Sequence, residues 1–207
     1  MKHLILLALL LAAGCTTTVI SAPQHLMPAN ALGRFEPCDF TGTPTEAEVK
    51  DGVLTLPMGQ PLSAVAWKGE PPYRDMYRLS YEARRLEGLD FFAACTFPVG
   101  QDSLTLVLGG WSGAVSGLSN IDDQDAAHNS TTRNDTLFDN GRWYQVDIEV
   151  RHGVVEVFLN GKSFMKADTN GKKVDTRPEV ERTKPLGFCS FESKSEIRKM
   201  LIQKLHE

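Results

Sequence analysis

Trp143-Tyr144-Gln145-Val146-Asp147-Ile148-Glu149-Val150, then Arg151-His152-Gly153, then Val154-Val155-Glu156-Val157-Phe158-Leu159 and Asn160-Gly161, carry the most regular pattern in the chain. Val146, Ile148 and Val150 alternate with Gln145, Asp147 and Glu149, the period of two that places apolar side chains on one face of a strand. Gly153 permits a turn, a second β-favouring run follows, and Asn160-Gly161 tolerates the positive φ angles of a tight hairpin connection. The segment predicts an antiparallel hairpin followed by a second turn.

Upstream the same period recurs. From Met76 to Arg85, Tyr77, Leu79, Tyr81 and Ala83 fall on one face and Arg78, Ser80, Glu82 and Arg84 on the other. Val53 to Leu56, Ser63 to Trp67, Phe91 to Phe97 and Ser103 to Leu108 are further strand candidates, set off by Gly- and Pro-containing breaks. Downstream lie Leu186 to Phe191 and Ile197 to Leu205. The last run fits either a helical stripe or a closing strand with Ile197, Lys199, Leu201 and Gln203 on one face, and the strand is preferred. Many short strands with little helix predict an all-β, two-sheet antiparallel sandwich.

The amino terminus has a different logic. Met1-Lys2-His3, an apolar run from Leu4 to Ala13 and a small-residue exit at Gly14 have the layout of a signal peptide over residues 1–14. The apolar run is too short to span a bilayer as a helix. Cys15 follows, in Leu11-Ala12-Ala13-Gly14-Cys15, which resembles the lipobox of bacterial lipoproteins. That resemblance implies lipidation at Cys15, attachment to a membrane and residence in the cell envelope. Residues 15–44 then read as a tether with an irregular entry, and 45–207 as the sandwich domain. Net charge is −4, and one unit more negative without Lys2, with basic residues scattered, so nucleic acid is not an expected partner. Beyond Cys15, the cysteines Cys38, Cys95 and Cys189 allow either one disulfide in an oxidising compartment or three buried thiols.

Gly141-Arg142-Trp143-Tyr144, the hairpin after it, Pro185-Leu186-Gly187-Phe188 and Glu196-Ile197-Arg198 resemble the carboxy-terminal half of concanavalin A-like jelly rolls. More specifically they resemble the bacterial secreted domains named after 3-keto-disaccharide hydrolase, and more loosely laminin-G-type modules. In this motif Trp143 is expected to fill the space between the sheets. The resemblance implies either a carbohydrate-binding module or a hydrolase or lyase acting on 3-keto-glycosides, with a structural or protein-binding envelope domain as a third reading.

Candidate site residues follow from chemistry. Arg78, Glu82 and Arg84 share a polar strand face that would suit sugar hydroxyls; for the keto-sugar chemistry that the resemblance implies, Glu82 or an aspartate of the 122–125 cluster would be the base for the C2 proton, and Arg84 or a bound metal the stabiliser. Trp111, between Gly110 and Ser112-Gly113, is the best stacking ring. The polar stretch Ser119 to Asp135 is long for a connection. In it Asp122, Asp123 and Asp125 would offer oxygen ligands to Ca²⁺, and His128 and Asn129 would face a ligand. The two-carboxylate Glu-x-Asp-x-x-Glu strand motif, a Gly-x-Ser-x-Gly elbow and His-Glu-x-x-His are all absent from the sequence.

Overall fold

The computed structural model describes residues 21–206; the signal segment 1–14 and Cys15 lie outside the described residues. The strands, in chain order, are β1 (Gln24–His25), β2 (Phe35–Pro37), β3 (Glu48–Lys50), β4 (Val53–Leu56), β5 (Leu62–Trp67), β6 (Tyr77–Gly88) and β7 (Ala94–Val99). They continue with β8 (Asp102–Gly110), β9 (Val115–Ser119), β10 (Tyr144–Arg151), β11 (Val154–Leu159), β12 (Lys162–Asp168), β13 (Gly187–Phe191) and β14 (Ser193–Lys204). One 3₁₀ segment, Pro178–Thr183, precedes β13. The larger sheet runs β12-β11-β10-β6-β14-β4-β3, with β1 also paired to β14. The smaller runs β2-β5-β13-β7-β8-β9, and every pairing is antiparallel. This is the two-sheet antiparallel sandwich that the alternation predicts, and the jelly roll that the resemblance implies.

The inward faces meet in one core. Leu79 and Tyr81 of β6, Ile148 and Val150 of β10 and Ile197 of β14 join Val65 of β5, Phe97 of β7, Leu104 and Leu106 of β8 and Phe188 of β13. Tyr81 meets Phe188 edge to face across the gap, with ring centroids 5.1 Å apart. The buried Tyr77 hydroxyl donates to the Pro98 carbonyl at 2.6 Å, so its polar end is satisfied where the ring is covered.

Three features depart from simple alternation. In β14 the register with β6 shifts between Arg198 and Leu201, and Lys199 has φ 53°. This bulge inserts one residue, so Ile197 faces inward before it and Met200 and Ile202 after it, while Lys199 stays exposed. The preferred strand is therefore present, but Lys199, Leu201 and Gln203 do not continue the face of Ile197. In β12, unmarked by any period, a shift near Val157 and Phe158 of β11 leaves the consecutive residues Phe164 and Met165 both covered. Third, Trp143 is not a core residue. The parity of Val146, Ile148 and Val150 turns Tyr144 inward and Trp143 outward, and Tyr144 is 3% exposed.

Within the expected tether and entry, the described residues from 21 onward supply β1 and β2, one to each sheet. Ser21 is held at the far end of β14: its hydroxyl donates to the Lys204 carbonyl, and its own carbonyl accepts from Gln203 Nε2 at 2.7 Å.

Cys38, Cys95 and Cys189 are free and buried. Cys38 and Cys189 point to the outer side of the smaller sheet, with Ala64 of β5 between them in register. Two strand spacings of about 4.8 Å each exceed the reach of a disulfide. Cys95 belongs to the core cluster on the opposite side, so it cannot bridge to Cys189 either. Burial pushes the Cys38 thiol up to about 11 and the other two higher still, which keeps them protonated and unreactive.

Candidate functional site

Each sheet has an outer face, and the two differ in how their polar groups are used. On the larger sheet, Arg78 donates to Glu149, which also accepts from Arg151 Nε at 3.0 Å. The Ser80 hydroxyl donates to Asp147. Glu82 accepts from Arg198 Nε at 2.7 Å and from Lys199 Nζ at 2.6 Å, and Arg84 Nε donates to Glu196 at 2.7 Å. The Arg84 and Arg198 guanidinium groups both lie against the Trp143 ring, 4.5 and 4.0 Å from its centroid. Burial alone would raise the Glu82 carboxyl, but the hydrogen bonds and charges of Lys199 and Arg198 outweigh it and hold the group below its ordinary value. Glu149 is lowered in the same way by Arg78 and Arg151.

Arg78, Glu82 and Arg84 thus form a self-satisfied ladder, not an open site. Glu82, expected as the base, has both oxygens occupied and a depressed pKa, which makes it a poor proton acceptor. A carboxylate whose folded pKa is lowered contributes stability that is present above its unfolded pKa and lost as pH falls through the folded value. Glu82→Gln is therefore expected to cost about 1–2 kcal/mol at pH 7, discounted for partial exposure, and less at pH 3. Urea unfolding of both proteins at the two pH values measures this; an equal loss at both would show that the ladder's charges are not the cause.

The outer face of the smaller sheet holds a cleft of about 220 Å³ lined by Leu62, Phe91, Val107, Phe191, Trp111, Arg177 and Glu179, among others. Trp111 and Ser112 occupy the tip of the connection between β8 and β9 with φ of 51° and 58°. Left-handed backbone in a bulky residue is unfavourable and persists only where the surroundings fix it. Asp90 does the fixing: one carboxylate oxygen accepts from the Phe91 amide at 2.7 Å and the other from the Ser112 amide at 2.8 Å. The indole is left 40% exposed at the mouth of the cleft. Opposite it, Arg177 donates from Nη2 to Glu179 at 2.8 Å and from Nη1 to Asp125 at 2.9 Å. With its Nε also on Glu179, the guanidinium uses three of its five N–H donors, leaving two for a ligand. Arg177 holds Glu179 below its ordinary pKa, so that carboxylate is an acceptor at neutral pH.

The polar stretch is divided in its roles. Asp125 links to the cleft through Arg177, and its other oxygen lies 2.6 Å from His128 Nδ1; the His128 side chain is 71% exposed. Asn129 is spent inside the loop, donating to the Leu118, Gln124 and Asp125 carbonyls and accepting from the Thr131 amide and hydroxyl. Expected as a ligand-binding residue, it is a loop staple in this structure. The three aspartates expected as Ca²⁺ ligands each have another partner. Asp122 accepts from the Lys173 amide, Asp123 pairs with Lys173 Nζ at 2.5 Å and Asp125 pairs with Arg177, so the three carboxylates diverge. Among the described residues no three His, Cys, Asp or Glu side chains converge as a metal site.

Trp111 and Arg177 thus line one cleft, which Asp125 reaches only through Arg177, while Arg78, Glu82 and Arg84 lie across the sandwich from it. Asp90, Arg177 and Glu179 complete the cleft without any period or motif to announce them.

The comparisons agree with this architecture. A carbohydrate-binding module, CBM66 from Bacillus subtilis, superposes with a TM-score of 0.57 at 6% identity, covering 83% of this chain and 96% of that one. A provisionally assigned glycosyl hydrolase from Parabacteroides distasonis gives 0.55 at 14% identity, covering 87% and 93%. Domain 4 of AbnA, an extracellular arabinanase from Geobacillus stearothermophilus in complex with arabinotriose, gives 0.51 at 16% identity, covering 82% and 81%. At these identities the likeness is one of fold. No curated protein matches the sequence. The pattern of the 3-keto-alpha-glucoside-1,2-lyase-like domain, in contrast, matches residues 30–203, nearly the whole of the described sandwich, and the chain belongs to that family.

Proposed function

We propose that the cleft on the outer face of the smaller sheet binds carbohydrate and that the protein is an exported sandwich held at a membrane surface by a lipid on Cys15. The observation that carries the binding reading is Trp111, a half-exposed ring in strained backbone beside the Arg177–Glu179 pair. An aromatic face receives the apolar side of a sugar ring while guanidinium donors and carboxylate acceptors take its hydroxyls. The carbohydrate-binding module and the arabinotriose-bound domain that share the fold support the same class of ligand. Glycan-array binding of the purified protein, followed by calorimetry with Trp111→Ala, tests it; binding that is unchanged in the variant would remove the cleft from the reading.

Family membership and the Asp125–His128 contact, joined to the cleft wall by Arg177, favour a second reading beside the same cleft, elimination on a 3-keto-glycoside. A ketone at C3 acidifies the C2 hydrogen. A base takes that proton, the electron pair forms the C1–C2 double bond, and the C1–O bond breaks with its electrons leaving on the departing oxygen. His128, oriented through Nδ1 by Asp125, is the candidate base, and Arg177 is a cation for the enolate. Release of the C1 substituent from a 3-keto-glycoside separates this reading from binding alone.

The address rests on the Leu11 to Cys15 pattern. Cys15→Ser is expected to move the protein from the membrane fraction to the soluble exported fraction, read by fractionation and immunoblot; no change in partition would overturn the anchor and leave export standing.

A further inference from the structure

The cleft has a neighbour at Leu62. That residue also lines a second cavity of about 330 Å³, walled by Phe40, Thr43 and Glu46 of the β2–β3 connection and by Met58 and Gln60 of the β4–β5 connection. The strand order β8-β7-β13-β5-β2 places Trp111, just past β8, and Phe40, just past β2, on opposite sides of the sheet. Four strand spacings separate them, about 19 Å. The first cavity alone falls below the roughly 300–1,000 Å³ of typical small-ligand sites and the second sits at its lower edge, whereas the two joined at Leu62 fall well within it.

The two halves differ in chemistry. Around Trp111 the wall is aromatic and charged, with Phe91 and Phe191 beneath. In the second cavity the side chains of Thr41, Thr43, Glu46 and Gln60 make no hydrogen bond or ion pair among the described residues, and Met58 is 44% exposed beside them. The ladder on the larger sheet, where every carboxylate is paired, has no such reserve. Uncommitted hydroxyl, amide and carboxylate groups around an apolar floor match the alternating polar rims and apolar faces of a glycan chain.

We propose that the two cavities form one groove crossing the strands of the smaller sheet, and that its ligand is an oligosaccharide, not a single sugar. One ring stacks on Trp111, and further rings run over Phe91, Phe191 and Leu62 toward Thr43 and Gln60. This inference rests on the carbohydrate-binding reading above and specifies its ligand.

Calorimetry with gluco-, fructo- and arabino-oligosaccharide ladders of one to about five rings tests it on the full chain. Affinity is expected to rise at least about tenfold from the monosaccharide to the longer members of the ladder that binds. Glu46→Ala combined with Gln60→Ala is expected to remove most of that rise and leave the affinity for the shortest ligand unchanged; both sites are exposed, and an unchanged thermal midpoint verifies folding. Affinity that is flat with length but still dependent on Trp111 would overturn the extended groove alone. No binding along any ladder would overturn both readings.

Discussion

Arg85→Leu is expected to lower stability by about 3 kcal/mol in urea unfolding and to weaken glycan binding at a distance. Arg85 is 5% exposed and follows Ala83 on the inward face of β6, where a charged residue is unusual. Its guanidinium donates to Asn140 Oδ1 at 2.6 Å, to the Leu89 and Asp90 carbonyls at 2.9 and 3.1 Å and to the Phe138 carbonyl at 2.7 Å, and it rests over the Phe92 ring. Bonds to a charged donor are individually stronger than neutral ones, and leucine would leave all four acceptors without their donor. The carbonyls sit on loops that water can reach after a small rearrangement, so the expected loss is below the sum of four such bonds. Asp90 is the route to the cleft: its carbonyl is held by Arg85 and its carboxylate holds the turn of Trp111. Arg85→Lys, which keeps the charge but not the fork, is expected to recover part of the stability and little of the positioning. A variant that binds as tightly as the parent would show that the two loops are fixed independently of Arg85.

Trp111→Gly should produce the opposite combination, with binding lost and stability nearly unchanged. A central aromatic contact in a binding site is commonly worth about 2 kcal/mol, or about a thirtyfold loss of affinity. Removing the partly covered ring forfeits some packing, but glycine accepts the left-handed backbone that costs tryptophan on the order of 1 kcal/mol, so the two effects largely offset. Phe92, fully buried, supplies the contrast: Phe92→Ala is a core deletion, expected to cost about 3–5 kcal/mol. Calorimetric affinity and denaturant midpoint, measured on the same Trp111→Gly preparation, check both halves. A large loss of stability would mean that the ring serves the fold and not a ligand.

The sequence made the strands legible wherever the period of two ran unbroken. β6 and the β10–β11 hairpin have the inward and outward faces that Tyr77 to Arg84 and Val146 to Val150 predict. The parity of Val146 to Val150, carried back, turns Trp143 outward, against the expectation from ring size that it fills the core. The period failed at the bulges, since one inserted residue reverses every side chain beyond it, as at Lys199 in β14 and Phe164 in β12. Trp111 stood out between small residues. The rest of the cleft was not legible, because Leu62, Asp90, Arg177 and Phe191 come from distant parts of the chain and share no spacing. Alternation says which way a side chain points from its sheet, but not which outer face carries a ladder of paired charges and which a groove. That distinction depends on whether Glu82 finds Arg198, a contact across 116 positions of sequence.

The seat of Ser21 beside Lys204 and Gln203 fixes where the preceding chain must enter. β14 runs antiparallel to β6 from Ser193, opposite Gly88, to Lys204, opposite Tyr77. The turn of Trp111 is held by Asp90 at the Gly88 end, and Ser21 is held at the Tyr77 end, about 35 Å away along the strands. On the proposed anchorage through Cys15, a membrane surface would therefore lie toward the Tyr77 end, with the proposed groove at the opposite end, open to chains that arrive from solution.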